Sequence, residues 1–176
     1  AWSDTTELWH AYAAEAGEDT DGNGKPELFI TGNRSVGGVA AWTTLIYESA
    51  GDDSLVRVAA LDVVEGVTGE PANELGRLSS AGPTEFLMDG YAGFSVYRGV
   101  APGQWQAVEQ VPDPHVYRSH LGIHAYDANA NGRDEIFWTT GASTIFSLVF
   151  ERPPTTADIT NPRSYNGLAL SVAPNP

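Results

Sequence analysis

Three stretches of the chain share one order of polar and apolar positions. Each is a glutamate, three apolar residues, one or two polar residues, then glycine: Glu27-Leu28-Phe29-Ile30-Thr31-Gly32, Glu85-Phe86-Leu87-Met88-Asp89-Gly90 and Glu135-Ile136-Phe137-Trp138-Thr139-Thr140-Gly141. Short apolar runs bounded by turn-forming residues read as buried strands. The leading glutamates are spaced 58 residues apart (27 to 85) and then 50 (85 to 135). A period of this size predicts a repeat fold in which small sheets stack on their neighbours.

The strand after each marker run alternates: Thr44–Glu48, Phe94–Arg98 and Ile145–Phe150. A further strand follows in the first two units, Leu55–Val58 and Trp105–Val108. The intervening 51–54 and 99–103 are rich in the Gly, Asp, Ser and Pro that hairpin turns require. Strand, turn, strand, turn, strand with a period near 50 predicts an all-β chain of propeller-type blades. Three units are expected, over about 1–62, 63–112 and 113–152. Residues 8–16 have a composition that a short helix could use, yet their place before an acidic loop favours a strand. From 153 to 176 the chain is proline-rich and reads as a linker or edge segment, with Leu168–Val172 as a possible last strand.

Composition narrows the function classes. The 176 residues are enough for one domain with a real core. A formal charge of −14, with nine scattered basic residues, argues against nucleic acid, which needs clustered Lys and Arg. Without cysteine there is no disulfide framework, thiol catalysis or Cys-based zinc site. No stretch approaches the roughly 20 apolar residues that span a bilayer. A chain whose first residue is Ala reads as a processed mature chain or a fragment.

The candidate chemistry lies just before the first and third marker strands. Asp19-Thr20-Asp21-Gly22-Asn23-Gly24-Lys25-Pro26-Glu27 places oxygen-bearing side chains at loop positions 1, 3, 5 and 9, with Gly at position 6. Asp127-Ala128-Asn129-Ala130-Asn131-Gly132-Arg133-Asp134-Glu135 repeats the arrangement. Alternate side chains turned inward, carboxylate charge and a glycine at the sharp turn are what a short loop needs to wrap a hard cation. An acidic turn without metal is the plainer reading. An EF-hand is excluded, because its bidentate Glu belongs at position 12, where these loops carry Ile30 and Trp138. The middle unit has 78–84 in place of a loop, with no carboxylate at the right spacing, so no metal is expected there.

The pattern Asp-x-Asp-Gly-Asn-Gly-x-x-Glu-Leu before an apolar strand resembles the FG-GAP/VCBS repeat, the calcium-binding blade of integrin-like β-propellers. The resemblance covers residues from about 8 to 150. It implies two structural Ca2+ sites: Asp19, Asp21, Asn23, the Lys25 carbonyl and Glu27; then Asp127, Asn129, Asn131, the Arg133 carbonyl and Glu135. The second loop departs from the family by carrying Asn129 and Asn131 in place of two acids, which lowers its charge. Three blades also fall short of the four to eight that close a propeller. Sheet edges completed by missing blades or another chain are therefore expected. The ending Val172-Ala173-Pro174-Asn175-Pro176 resembles the junction before the C-terminal sorting domain of Bacteroidota-type secreted proteins.

Other chemistries find little support. His120 and His124 would sit roughly 13 Å apart along a strand, too far for one ion. Gly141-Ala142-Ser143-Thr144-Ile145 breaks the nucleophile-elbow pattern at its last position. Gly22-Asn23-Gly24-Lys25 lacks the spacing and the Ser or Thr of a phosphate loop. Most of the aromatics, Trp138 included, are expected in the core. The expectation is an exported, calcium-stabilised bacterial module on the cell surface or in the periplasm, non-catalytic, that binds a protein or a cell-surface glycan. It suits an accessory subunit of a larger complex. The alternative is a scaffold fragment of a secreted polysaccharide-degrading enzyme.

Overall fold

The computed structural model of the chain describes residues 7–63, 72–79, 82–90, 93–112, 119–141 and 145–152. Among them are eleven strands and no helix, hence no helix long and apolar enough to cross a membrane. The first sheet is a meander of β1 (His10–Ala16), β2 (Glu27–Val36), β3 (Val39–Gly51) and β4 (Ser54–Val63). The second repeats it with β5 (Asn73–Gly76), β6 (Glu85–Gly90), β7 (Gly93–Ala101) and β8 (Gln104–Pro112). The third contains β9 (Ser119–Tyr126), β10 (Glu135–Gly141) and β11 (Ile145–Phe150). All pairing is antiparallel, and none of the sheets closes on itself.

The marker runs are β2, β6 and β10, each flanked by a strand on both sides. Strands extend further than the sequence suggested because the turns are shorter. Gly51 pairs with Ser54 and Ala101 with Gln104, so each of these connections is two residues long. One hairpin escaped the sequence reading. Val36 pairs with Val39 across Gly37 and Gly38, at φ 59° and 85°, the doubly left-handed turn whose twist matches the strands it joins. The segment with helix-compatible composition is the strand β1, irregular where its register slips between Ala11 and Ala13.

The sheets pack face to face in chain order. One core joins the first two: Phe29, Ile46 and Leu61 meet Phe86, Met88 and Tyr97. Phe29 and Phe86 stack at 4.5 Å between centroids and 8° between planes. A second core joins the middle sheet to the third: Leu78, Leu87, Phe94 and Val96 meet Ile123, Ile136 and Trp138. The middle sheet is thus buried on both faces. That explains the unbroken apolar run Phe86-Leu87-Met88, whose alternate residues belong to opposite cores. The possible strand at Leu168–Val172 lies outside the described residues.

Strand alternation fixes which way each marker glutamate points. Glu27 shares its face with Phe29, which packs on the middle sheet. Glu85 shares its face with Leu87, which packs on the third. Glu27 and Glu85 therefore sit at the boundary with the following sheet, while Glu135 shares the outward face of Phe137; all three are buried, at 1%, 1% and 5% exposure.

Candidate metal centre

A buried carboxylate must be matched by charge or hydrogen bonds, because leaving water costs an ionised group heavily. The three marker glutamates meet this demand in three ways. In the first sheet, Glu27 Oε2 accepts hydrogen bonds from the Thr20 amide (2.6 Å) and the Thr20 hydroxyl (2.7 Å). Its other oxygen, Oε1, is buried with no hydrogen-bond partner.

The loop around it is wound by its own carboxylates. Asp19 Oδ1 accepts from the amides of Gly22 (2.8 Å) and Asn23 (3.1 Å), and Oδ2 from that of Gly24 (2.8 Å). Asp21 Oδ1 accepts from the Asn23 amide at 3.1 Å. Oxygens of Asp19, Asp21 and Glu27 all lie within 4.8 Å of one another. Ligands of a Ca2+ ion stand about 2.3–2.6 Å from it, so oxygens on opposite sides are about 5 Å apart. The donor set fits: three carboxylates converge, and one buried oxygen among them lacks a proton donor.

Not every expected ligand turns to that point. The Asn23 side-chain amide donates to Glu48 Oε1 at 2.7 Å, and its oxygen accepts from the Lys25 amide. The Lys25 ammonium reaches Glu48 Oε2 at 3.4 Å. Glu48 stands directly opposite Glu27 on the neighbouring strand and is itself buried. Asn23 and Lys25 thus serve Glu48 with their side chains. The sequence reading missed Glu48, although it closes the alternating run Thr44–Glu48.

Electrostatics agree with the geometry. Burial raises the Glu27 carboxyl above its ordinary range; the Thr20 hydrogen bonds oppose this, and the charges of Asp21 and Asp19 add to it. A divalent cation would reverse the balance. The loop also fastens the first sheet to the second. The Gly103 amide donates to Asp21 Oδ2 at 2.7 Å, and the Trp105 indole N–H to Thr20 Oγ1 at 3.2 Å. Gly99 makes that approach possible, since a Cβ there would lie 2.3 Å from the Thr20 carbonyl oxygen.

The loop before β10 is wound alike. Asp127 Oδ1 accepts from the Asn131 amide and Oδ2 from the Gly132 amide. Asn131 Nδ2 donates to Glu151 (2.8 Å), and Arg133 forms an ion pair with the same carboxylate (2.6 Å). These contacts parallel those of Asn23 and Lys25 with Glu48. The difference lies at Glu135, whose Oε2 accepts from the Ala128 amide (2.7 Å) and whose Oε1 accepts from Asn129 Nδ2 (2.5 Å). Burial raises the Glu135 carboxyl, the Ala128 amide lowers it, and the charges of Glu151 and Asp127 raise it again.

In the middle sheet Glu85 holds two guanidinium groups. Arg98 donates to Oε1 from Nε (3.0 Å) and from its second terminal nitrogen (2.7 Å). Arg152 reaches Oε2 at 2.5 Å and binds Glu109 as well.

Of the histidine pair, His124 is exposed and lies 3.2 Å from Glu74 through Nδ1; the His120 side chain lies outside the described ones. Glu15, Glu74 and His124 occupy equivalent places on β1, β5 and β9, opposite Phe29, Leu87 and Phe137. Burial, then Glu74, raise the Glu15 carboxyl, while His124 lowers it. Comparison with protein-family models, with curated proteins and with solved structures returned no match.

Proposed function

We propose that the chain is a calcium-stabilised module of propeller-type blades that acts by binding and assembly, exported to the cell surface or periplasm. The observation that carries the calcium reading is Glu27 Oε1, a buried carboxylate oxygen without a proton donor, beside two further carboxylates within 4.8 Å. Few ligands and a partly exposed loop suit the millimolar calcium met outside cells. The role of the ion is structural: it neutralises the loop where it docks on the β7–β8 hairpin.

Support for assembly comes from the end faces of the stack. By alternation, Leu28 and Ile30 face away from the middle sheet at one end, and Phe137 and Val149 at the other. These match the positions of Phe86 and Leu87, which are buried between sheets. The end faces therefore suit further blades or a partner chain. The direct test of the metal site is terbium luminescence sensitised by tryptophan, since Trp105 touches Thr20 in the loop. Binding displaced by calcium and lost in Asp19→Asn is expected; undiminished luminescence in that variant contradicts the assignment. Assembly is tested by sedimentation of the calcium-loaded chain, where a stable lone monomer that co-purifies with nothing contradicts it.

The polysaccharide-degrading scaffold has one observation in its favour, the row of Glu15, Glu74 and His124 on the first strands of the three sheets. Two carboxylates and an imidazole can move protons. Loss of glycan cleavage in Glu74→Gln would establish that reading.

A further inference from the structure

We infer that only the first of the two loops is a calcium site, and that protein groups fill the cation's place at the other two marker glutamates. The inference rests on the first-loop reading above and concerns how the remaining sheets do without the ion.

The three sheets are superimposable in logic. Loop positions 2, 3, 5, 7 and 9 are Thr20, Asp21, Asn23, Lys25 and Glu27 in one loop, and Ala128, Asn129, Asn131, Arg133 and Glu135 in the other. Positions 5 and 7 serve a second glutamate in both: Glu48, across the ladder from Glu27, and Glu151, one step beyond the Ile136–Phe150 pair. The loops part company at positions 2 and 3. In the first, Thr20 gives both its amide and its hydroxyl to one oxygen of Glu27, leaving Oε1 for an ion. In the second, Ala128 has no hydroxyl, and its amide alone satisfies Glu135 Oε2. Asn129 then donates from its side chain to Oε1 at 2.5 Å. An amide N–H pointed at that oxygen occupies the space and satisfies the lone pair that a cation would take. Asp21, at the equivalent position, has no proton to give. In the first loop the aspartates of positions 1 and 3 converge on Glu27 and leave Oε1 to a cation; in the second, Asn129 takes that oxygen.

The middle sheet reaches the same end by charge. The residue across the ladder from Glu85, one step beyond the Phe86–Tyr97 pair, is Arg98, where the other sheets carry Glu48 and Glu151. Arg98 binds Glu85 Oε1 with two nitrogens, and Arg152, just after β11, binds Oε2. Both oxygens of this buried carboxylate are taken by guanidinium groups. Charge is reversed at the cross-strand position in the one sheet that has no acidic loop before its marker strand.

The test is isothermal titration of the full chain with calcium, the metal alone serving as probe. A stoichiometry of one is expected, lost in Asp21→Asn and kept in Asp127→Asn. Asn129→Asp is expected to raise the stoichiometry to two, because the loop then carries three carboxylates at positions 1, 3 and 9, with no proton donated to Glu135 Oε1. Should Asp127→Asn fail to fold, Asn129→Ala serves instead, with a lower melting temperature and an unchanged stoichiometry expected. Two ions in the native chain, with one lost in the Asp127 or Asn129→Ala variant, would overturn the inference while leaving the first-loop reading in place. Asn129→Asp holding at one ion also overturns it. No ion in the native chain overturns the first-loop reading itself.

Discussion

Glu27 and Glu48 stand directly opposite each other on β2 and β3, at 1% and 4% exposure. Like charges across a ladder repel, and burial strengthens the repulsion. Asn23 and Lys25 answer Glu48, Thr20 answers one oxygen of Glu27, and the second oxygen is left over. Glu27→Gln should therefore change sign with conditions. In chelator the variant should melt at or above the native temperature, because a buried repulsion is gone. In calcium it should melt below the native chain, because the ion's stabilisation is lost. Thermal melts of both proteins in the two buffers check this, and a variant less stable by the same amount in each would contradict it.

Glu85 depends on arginine instead. Arg152→Ala removes a charged hydrogen bond from a carboxylate that is 1% exposed, and should cost about 1.5–3 kcal/mol. The loss should be equal with and without calcium, as read from urea denaturation. A calcium-dependent loss would mean that the ion acts at the middle sheet too.

The hairpin contact of the first loop depends on Gly99. A Cβ there meets the Thr20 carbonyl oxygen at 2.3 Å and Asp21 Cα at 2.6 Å, both backbone atoms that cannot swing aside. Gly99→Ala should destabilise the chain by about 1–3 kcal/mol and weaken calcium binding, since Asp21 is displaced with its loop. Titration calorimetry reads the second effect. Native affinity in a destabilised variant would separate the docking of the loop from its ion.

Much of this was legible beforehand. The period of the marker runs, the alternating strands that follow and the acidic loops could all be read from residue type and spacing, and the all-β sheets carry those runs on β2, β6 and β10. What could not be read was which oxygen met which donor. Asn23, Asn129 and Asn131 look alike in sequence, yet two of them serve a cross-strand glutamate and one serves the marker glutamate. That choice depends on strand pairing between residues 20 to 25 positions apart. Likewise Arg98 and Arg152 lie 13 and 67 positions from Glu85, and only packing brings them together. Glu48 is a plain alternating-strand residue until its neighbour across the ladder is known.

Acid sensitivity should come in part from Asp62. Burial pushes its carboxyl up, but hydrogen bonds from Arg34 and Thr43, with the Arg34 charge, outweigh this and hold it below the ordinary 3.8. A lowered carboxylate contributes stability that is complete above the unfolded value and is lost as pH falls through the folded one. The stability gap between native and Asp62→Asn proteins should thus be constant near neutrality and shrink below about pH 4. Urea titrations across that range measure it, and a gap that widens on acidification would contradict the pairing.

The central claim is that the buried, unpartnered oxygen of Glu27 belongs to a calcium site that clasps the first sheet to the second. The most direct measurement is the melting temperature of the native chain in saturating calcium and in excess chelator. At about a hundred times the dissociation constant, binding to the folded state alone adds about 2.7 kcal/mol. For a chain of this length that corresponds to a rise of about 5–10 °C. A rise in that range, absent in Asp19→Asn, is the predicted result; the same melting temperature in both buffers would contradict the account.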